Sequence, residues 1–195
     1  MSRPARPQLA LGLTLAWLGV IVAFVIPTRA EATTLRYQSV EQLARAADLV
    51  VWGRITRVGT RMQRDPAGGL RPEREARVAV REALLGEASG TLTVQLLGGA
   101  HPAGERRVHG EAELREGEEV VLFLTRASGS LRVLGMSMGV LRVVHGAGSE
   151  PRLLRQVDDA ALLDAEGRAL PALNESLSFE ELRATLGRTM TTRKP

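Results

Sequence analysis

Residues Glu118–Thr125 read Glu-Glu-Val-Val-Leu-Phe-Leu-Thr, which is the strongest strand pattern in the chain. An unbroken apolar run rich in β-branched and aromatic side chains is typical of a buried strand. Ser128-Gly129 then predicts a turn into a second strand at Leu131–Met136. Val140–His145 predicts a third strand, and Arg152–Val157 has a weaker strand pattern. Because these links are too short for crossover helices, we expect the strands to pair antiparallel.

Upstream of this stretch the sequence predicts three more strands. Leu49–Val58 begins as an apolar run and then alternates, Val78–Leu85 resumes the alternation, and Thr91–Leu96 alternates again. The polar segment Gln63–Glu73 is rich in proline and glycine, so it predicts a loop. Ala100–Gly117 is longer and also polar. Structureless segments of that length are uncommon in a compact domain, so we expect this one to be mobile or functional.

Two capping boxes predict helices at the two ends of the domain. Ser39 with Gln42 begins the first helix, while Ser178 with Glu181 begins the second, which Gly187 is expected to end. The chain is therefore predicted to be mainly β, a small antiparallel barrel of about six or seven strands with an N-terminal and a C-terminal helix. A sandwich is the alternative, since either architecture removes exposed strand edges.

The composition excludes several classes of protein. Apolar residues make up 44% of the 195 residues and charged residues 25%, which argues against a disordered chain and a multi-span membrane protein. There is no cysteine. This excludes a disulfide framework, a thiolate metal site, a cysteine nucleophile and a lipidated N-terminal cysteine.

The first part of the chain has the pattern of a signal peptide. Arg3 and Arg6 supply a positive start, Leu9–Ile26 is apolar, and cleavage is expected after Ala30 or Ala32. We therefore expect a secreted or periplasmic protein without a membrane span after cleavage. The alternative is a protein anchored by the uncleaved segment, because about eighteen apolar residues can just cross a bilayer.

The predicted organisation is a signal peptide at 1–30, a single barrel domain at 31–187 and a flexible tail at 188–195. The whole chain has 26 basic and 22 acidic residues, a net charge of +4. Residues 1–30 contain three arginines and no acid, so 23 basic and 22 acidic residues remain, a net charge of +1. Lys194 is the single lysine. We interpret the arginine bias as codon usage rather than as a binding surface.

Three blocks of sequence carry a resemblance to a known family. Ala47–Val51, Gly53–Ile55 and Gly117–Leu124, in that order between the two predicted helices, resemble the netrin-like module of tissue inhibitors of metalloproteinases. They are also similar to cysteine-free secreted bacterial proteins of unknown function. The resemblance covers about residues 39–187 and implies an OB-type barrel with packed helices.

The same resemblance implies a function that this chain departs from. In the inhibitors, the amine and carbonyl of an N-terminal cysteine bind the zinc of the target protease. Here the chain after cleavage would begin at Glu31 or Thr33, and it has no cysteine. The fold is therefore carried over from the family and the inhibitory residues are not.

One segment matches a nucleophile motif. Gly135-Met136-Ser137-Met138-Gly139 fits G-x-S-x-G, but that elbow requires a helix next, then an acid and a histidine. A strand pattern follows instead, and the single later histidine is His145. We interpret the segment as a glycine-bounded connection between strands. Met136 and Met138 are interpreted as core residues rather than as an adaptable binding surface.

The candidate metal ligands are histidines and acids. His101, His109 and His145 could be combined with Glu111 or Glu113, but no two of these histidines have the i, i+4 spacing of a helical zinc site. We interpret the histidines as solvated. An acidic cluster lacks the spacing of a calcium loop and is interpreted as a solvated edge. Its members are Glu111, Glu113, Glu116, Glu118 and Glu119.

Single-stranded nucleic acid is not expected as a partner. The chain after residue 30 has nearly balanced charge and four aromatic residues, whereas such binding uses a basic groove with aromatic platforms. The four are Tyr37, Trp52, Phe123 and Phe179. The triplet Asn174-Glu175-Ser176 matches a glycosylation acceptor, to which we give no weight.

These observations predict an exported, non-enzymatic β-barrel module that acts through a protein or an envelope partner. No catalytic residue, metal or cofactor is assigned. The alternative is a secreted protease inhibitor of netrin-like type that uses the loop Ala100–Gly117. A hydrolase is the third hypothesis, and no set of residues with acid, base and nucleophile spacing supports it.

Overall fold

The structure is a computed structural model that describes residues 33–64, 68–102, 104–146, 148 and 150–192. The predicted signal peptide lies outside the described residues. Two α-helices are Val40–Ala46 (α1) and Phe179–Thr192 (α2), and Met136–Gly139 is a 3-10 helix. The strands β1 to β13 are Thr34–Arg36, Leu49–Arg64, Leu70–Leu85, Thr91–Leu96, Gly99–His101, Gly104–Arg106, Glu119–Ala127, Ser130–Val133, Val140–Val144, Arg152–Val157, Ala161–Leu163, Ala169–Leu170 and Leu173–Ser178. The fold is mainly β, with 54% strand, as predicted.

Five strands close into a barrel. Their order is β2–β3–β4–β8–β7, and β7 pairs again with β2. This is the connectivity of an OB-type barrel, so the predicted small barrel with two helices is confirmed. The pair β4–β8 is parallel, with Val94 opposite Leu131, whereas the prediction was antiparallel throughout. The reason is geometric, because an odd number of strands around a closed ring cannot alternate in direction at every neighbour.

Strand β7 joins the barrel to an extension. One edge of β7 pairs with β2. The other edge is divided, so that Leu124–Ala127 pairs with β8 and Val120–Leu122 pairs with β9. From β9 the sheet continues through β10 to β13. Two small sheets, β1–β11–β12 and β5–β6, complete the strand pairing that the structure describes. The main sheet has eight strands, more than the predicted number, because Leu173–Ser178 was not expected to be a strand.

The apolar run in β7 separates two hydrophobic cores. Val120, Leu122 and Leu124 point into the barrel, while Val121 and Phe123 point outward. The outward residues pack in a second core with α1, α2 and the extension strands. Both faces of β7 are therefore buried, which explains why its sequence is continuously apolar instead of alternating.

The barrel strands β2 and β3 run on as a ribbon, here called the arm, made of Arg57–Arg64 and Leu70–Arg77. The base of the arm, Arg74–Arg77, still pairs with β4. Pairing continues to Arg64 opposite Leu70, so the predicted loop Gln63–Glu73 is wrong except at its tip. The inner face of the arm packs against β5. A Cβ atom added to Gly99 would lie 2.8 Å from Cγ2 of Thr60. This tertiary support allows a polar, glycine-containing sequence to form strands.

Two other expectations change at the level of local structure. Helix α2 continues past Gly187 to Thr192, because Leu182, Leu186 and Thr189 all lie on its buried face. The predicted stop is wrong, and 188–192 of the predicted tail is helical.

Both predicted capping boxes are present. Among the described residues, no helix is both long enough and apolar enough to cross a membrane.

The segment Ala100–Gly117, expected to be mobile or functional, is mostly exposed but is held by a short packed stretch. It contains β6 and the end of β5. After β6, Glu111, Ala112 and Leu114 are buried, and the amide of Gly110 donates to Asp159 at 3.1 Å.

Candidate functional site

Ser137 lies in the 3-10 helix between β8 and β9, which confirms the interpretation as a connection between strands. Its amide donates to the carbonyl of Gly110 at 2.9 Å. Its Oγ atom is buried and has no hydrogen-bond partner in the described part of the chain. A serine nucleophile needs a base within hydrogen-bond distance of Oγ. The geometry therefore gives Ser137 no means of activation.

The two methionines beside Ser137 do not lie on a strand. Met138 is buried in the second core, and Met136 packs against that core from the edge. Met136 has a φ of +58°, in the left-handed region that non-glycine residues rarely adopt. The interpretation of Met138 as a core residue is confirmed.

A polar cleft lies between the β6–β7 connection, the 3-10 helix and the turn after β10. Glu111 lies at its centre and is 7% exposed. Burial raises the pKa of Glu111, although hydrogen bonds from the amides of Ala112 and Leu97 and the nearby charge of Arg74 oppose the shift. Glu111 accepts the amide of Ala112 and Asp159 accepts the amide of Gly110, so both carboxylates brace the loops around the cleft.

The three histidines are placed on separate elements. His101 ends β5, His109 lies in the β6–β7 connection, and His145 follows β9. His145 Nε2 lies 3.3 Å from Oε2 of Glu119. No group of three metal-ligating side chains exists among the described residues.

The acidic cluster is not a single solvated edge. Glu113 is exposed, but Glu111 and Glu119 are nearly buried. Burial alone would raise the pKa of Glu119. Hydrogen bonds from Arg54 and His145 and the charge of Arg81 outweigh that effect and lower it. The predicted solvated edge is therefore wrong for these two residues, because the chain supplies them with internal partners.

A buried arginine links distant parts of the chain. Arg155 is 0% exposed and donates to the carbonyl of Met138 at 2.8 Å, to Oε2 of Glu175 at 3.0 Å, and to the carbonyl of Gln38. The hydroxyl of Tyr37 donates to Oε1 of Glu175 at 2.9 Å. These residues, here called the Arg155 cluster, fix the N-terminal segment against β10 and β13. Nothing in the sequence of Arg155 or its neighbours distinguished it.

The outer face of the arm carries alternating residues of its two strands. Arg57 lies opposite Arg77, Gly59 opposite Glu75, and Arg61 opposite Glu73. Next along the sheet, Thr93 of β4 lies opposite Arg77. Arg57, Arg77 and Thr93 therefore form one exposed row across three strands, here called the arginine row.

Carboxylates near the arginine row are already paired. Glu75 lies 3.4 Å from Nη1 of Arg61, and Glu73 lies 2.9 Å from Nη2 of Arg71. In the described part of the chain, Arg57 and Arg77 have no ion-pair or hydrogen-bond partner for their guanidinium groups. Both line a groove of about 220 Å³ together with Arg61 and Glu75, and space for a Cβ atom at Gly59 is open.

The arm also concentrates positive charge. Residues 57–77 contain six arginines and three acidic residues, a net charge of +3. The remainder of residues 31–195 has 17 basic and 19 acidic residues, a net charge of −2. This asymmetry could have been counted from the sequence. The prediction misses it because it treats Gln63–Glu73 as a loop and the arginine bias of the chain as codon usage.

The fold and this surface define a cysteine-free barrel of the OB type with an arginine-rich ribbon on its exterior. No protein-family model matches the chain, and no curated protein sequence is significantly similar to it. The netrin-like resemblance therefore stays a prediction.

Proposed function

We propose that this chain is an exported, non-enzymatic binding module whose arm contacts anionic groups of the cell envelope. The observation that carries the proposal is the charge of the arm, +3 over residues 57–77 against −2 for the rest of 31–195. Such a separation orients the molecule toward a negative surface.

Energetics favour a surface of phosphate groups as the partner. An arginine near an anionic membrane surface contributes about 1 kcal/mol to binding. The tip of the arm adds an apolar contact, because Leu70 is 63% exposed and lies between Arg64 and Arg71 in the sequence. A leucine flanked by arginines can enter the boundary between headgroups and acyl chains.

The proposal assigns no catalytic role to the polar cleft. Ser137 has no hydrogen-bond partner for Oγ, and Glu111 and Asp159 are used by backbone amides. Within the described residues, this leaves no assembled set of acid, base and nucleophile at the polar cleft.

The inhibitor alternative receives less support from the geometry. A protease-binding loop must project from its scaffold, whereas Glu111 and Ala112 within Ala100–Gly117 are buried. The β5–β6 hairpin projects, and Gly104–Arg106 is its exposed strand. Stoichiometric inhibition of any protease in a metallo- and serine-protease panel would revive this alternative.

Vesicle sedimentation tests the proposal directly. We expect the domain from residue 33 onward to bind vesicles of phosphatidylcholine mixed with phosphatidylglycerol, and not vesicles of phosphatidylcholine alone. Removing two charges with Arg61→Gln and Arg64→Gln should weaken binding by about 2 kcal/mol, roughly 30-fold. Added salt should weaken wild-type binding because it screens exposed charges.

A charge-matched variant provides the control. Arg36→Gln with Arg126→Gln removes two exposed arginines outside the arm and should leave vesicle binding nearly unchanged. Leu70→Ser should weaken binding without changing its salt dependence. Equal weakening by the control pair and the arm pair would contradict the proposal, as would the absence of binding to the anionic vesicles.

A further inference from the structure

We infer that Arg57, Arg77 and Thr93 form a binding site for a phosphate monoester. The inference deepens the proposed function, on which it rests for the envelope as the source of the ligand. The site itself rests on a separate observation, which is the arrangement of unpaired donors in the arginine row.

The row brings its donors together by strand register. Residues directly opposite on neighbouring strands lie about 5 Å apart at Cα, and their side chains point to the same face. Arg57 is opposite Arg77, which is opposite Thr93 on its other side. Two guanidinium groups and one hydroxyl can therefore converge on one small ligand.

The surrounding chain leaves these two arginines unpaired. Arg61 forms an ion pair with Glu75, which lines the same groove. Arg71 forms an ion pair with Glu73, and Arg54 and Arg81 both pair with Glu119. Glu116, the acid that reaches toward β2, accepts a hydrogen bond from the amide of Val58 at 2.9 Å.

Placing two like charges directly opposite each other destabilises a sheet. A folded chain that keeps such a pair violates a rule of local stability, and such violations concentrate at functional sites. The groove beside the pair is open because Gly59 has no side chain and nothing lies within 4 Å of its Cβ position. A ligand oxygen can enter there and approach both guanidinium groups.

The charge of the site selects the ligand class. A phosphate monoester carries about −1.5 to −2 charges and three acceptor oxygens near neutral pH. It can therefore accept paired hydrogen bonds from each guanidinium. A single carboxylate has one charge and two oxygens, so it would neutralise only one of Arg57 and Arg77.

Inorganic phosphate is the probe that tests the site without a membrane. Phosphorus NMR titration of the domain from residue 33 onward should show saturable broadening, and acetate at equal ionic strength should not compete. Arg57→Gln with Arg77→Gln should weaken phosphate binding at least tenfold, and Thr93→Val should weaken it less. Arg126→Gln, an exposed arginine on β7, is the single-charge control and should bind like wild type.

Binding to lipid vesicles distinguishes the two possible sources of the phosphate group, a lipid headgroup and free phosphate. Stronger binding to phosphatidic acid, a monoester, than to phosphatidylglycerol, a diester, indicates a lipid headgroup if the double variant loses the preference. Phosphate binding without that preference supports the site with free phosphate as its ligand.

Failure of this inference and failure of the proposed function give different results. Wild-type phosphate binding that the double variant retains overturns the site, as does the absence of phosphate binding, even if vesicles still bind. Phosphate binding that depends on the row, without any vesicle binding, overturns the envelope proposal and leaves the site standing. A urea midpoint close to that of wild type verifies that each variant is folded.

Discussion

The Arg155 cluster and the arginine row use the same side chain in opposite ways. Arg155 is fully buried and donates to three acceptors, whereas Arg57 and Arg77 are exposed and have no partner among the described residues. A buried charge is tolerated only when the chain itself satisfies it. An exposed guanidinium is satisfied by water and can exchange that water for a ligand. Arg155 therefore has a structural role because it is buried, whereas Arg57 and Arg77 are exposed and available for binding.

The Arg155 cluster also answers a question raised by the missing cysteines. Without disulfides, the N-terminal segment must be held by other contacts. The amide of Tyr37 donates to the carbonyl of Leu163 at 2.8 Å, and β1 pairs in parallel with β11. Arg155 and Glu175 add side-chain bonds to the same segment. The N-terminal segment is thus fixed by hydrogen bonds together with the packing of Leu35 and Tyr37 against the core.

The largest expected effect follows from breaking the Arg155 cluster. Arg155→Ala removes three hydrogen bonds, leaves buried carbonyls unpaired and creates a cavity. It should lower the free energy of unfolding by about 3–5 kcal/mol. Urea denaturation measures this change. Arg152→Ala on the same strand removes an exposed arginine and should change stability by about 0.5 kcal/mol or less. If Arg155→Ala lowers the free energy of unfolding by less than about 1 kcal/mol, the buried Arg155 does not stabilise the fold as proposed.

A smaller effect is expected at the partner of Arg155. Glu175→Gln keeps the shape but removes the charge that Arg155 and Tyr37 share, and it should lower stability by about 1–2 kcal/mol. Burial raises the pKa of Tyr37, and the hydrogen bond to Glu175 raises it further, while Arg155 lowers it. The variant should therefore move the pKa of Tyr37 downward, toward its ordinary value.

The measurement is direct because Tyr37 is the only tyrosine of the chain, so tyrosinate absorbance reports one residue. A raised pKa means that the folded state favours the neutral phenol. The stabilisation is complete below the pKa of the unfolded chain, about 10, and is lost as pH rises through the folded value. Asn174→Ala alters the exposed neighbour and should leave the titration unchanged. An unchanged pKa in Glu175→Gln would contradict the hydrogen bond.

Local patterns predicted much of the fold. The run Val120–Leu124 was recognised as a strand because both of its faces are buried, which makes the sequence apolar regardless of register. The two capping boxes at Ser39 and Ser178 were recognised because their hydrogen bonds join residues three apart. Interactions of this kind depend only on residues that are a few positions apart, so the local sequence predicts them.

Features that depend on distant contacts could not be predicted in the same way. Gly187 predicts a helix end because glycine favours C-terminal caps. The helix continues past it because Leu186 and Thr189 are buried on its packed face. The arm looked like a loop because its support comes from β5 and from cross-strand ion pairs. The buried Arg155 and the half-buried Glu175 become partners only because β10 pairs with β13.

The same limit applied to the candidate site. Arg57 and Arg77 are twenty residues apart and become neighbours through the register of β2 and β3. A loop at Gln63–Glu73 does not fix that register, so the row was not visible in the sequence. The sequence motif that was visible, around Ser137, has no catalytic partners in the described structure.

The smallest effect on stability should come from the arginine row, which makes it the sharpest contrast with Arg155. Arg57→Gln with Arg77→Gln removes two like charges that face each other and breaks no ion pair among the described residues. The free energy of unfolding should stay within about 0.5 kcal/mol of wild type or rise slightly. Any gain should shrink at high salt, because exposed charges are screened.

Urea denaturation at two salt concentrations, with Arg126→Gln as the single-charge control, measures this effect. A loss above about 1 kcal/mol would mean that Arg57 and Arg77 support the arm, since surface substitutions without partners rarely cost that much. The two kinds of arginine would then differ in exposure and not in role. Unchanged stability together with lost phosphate binding separates the roles, because a ligand site on a folded surface can be removed without removing the fold.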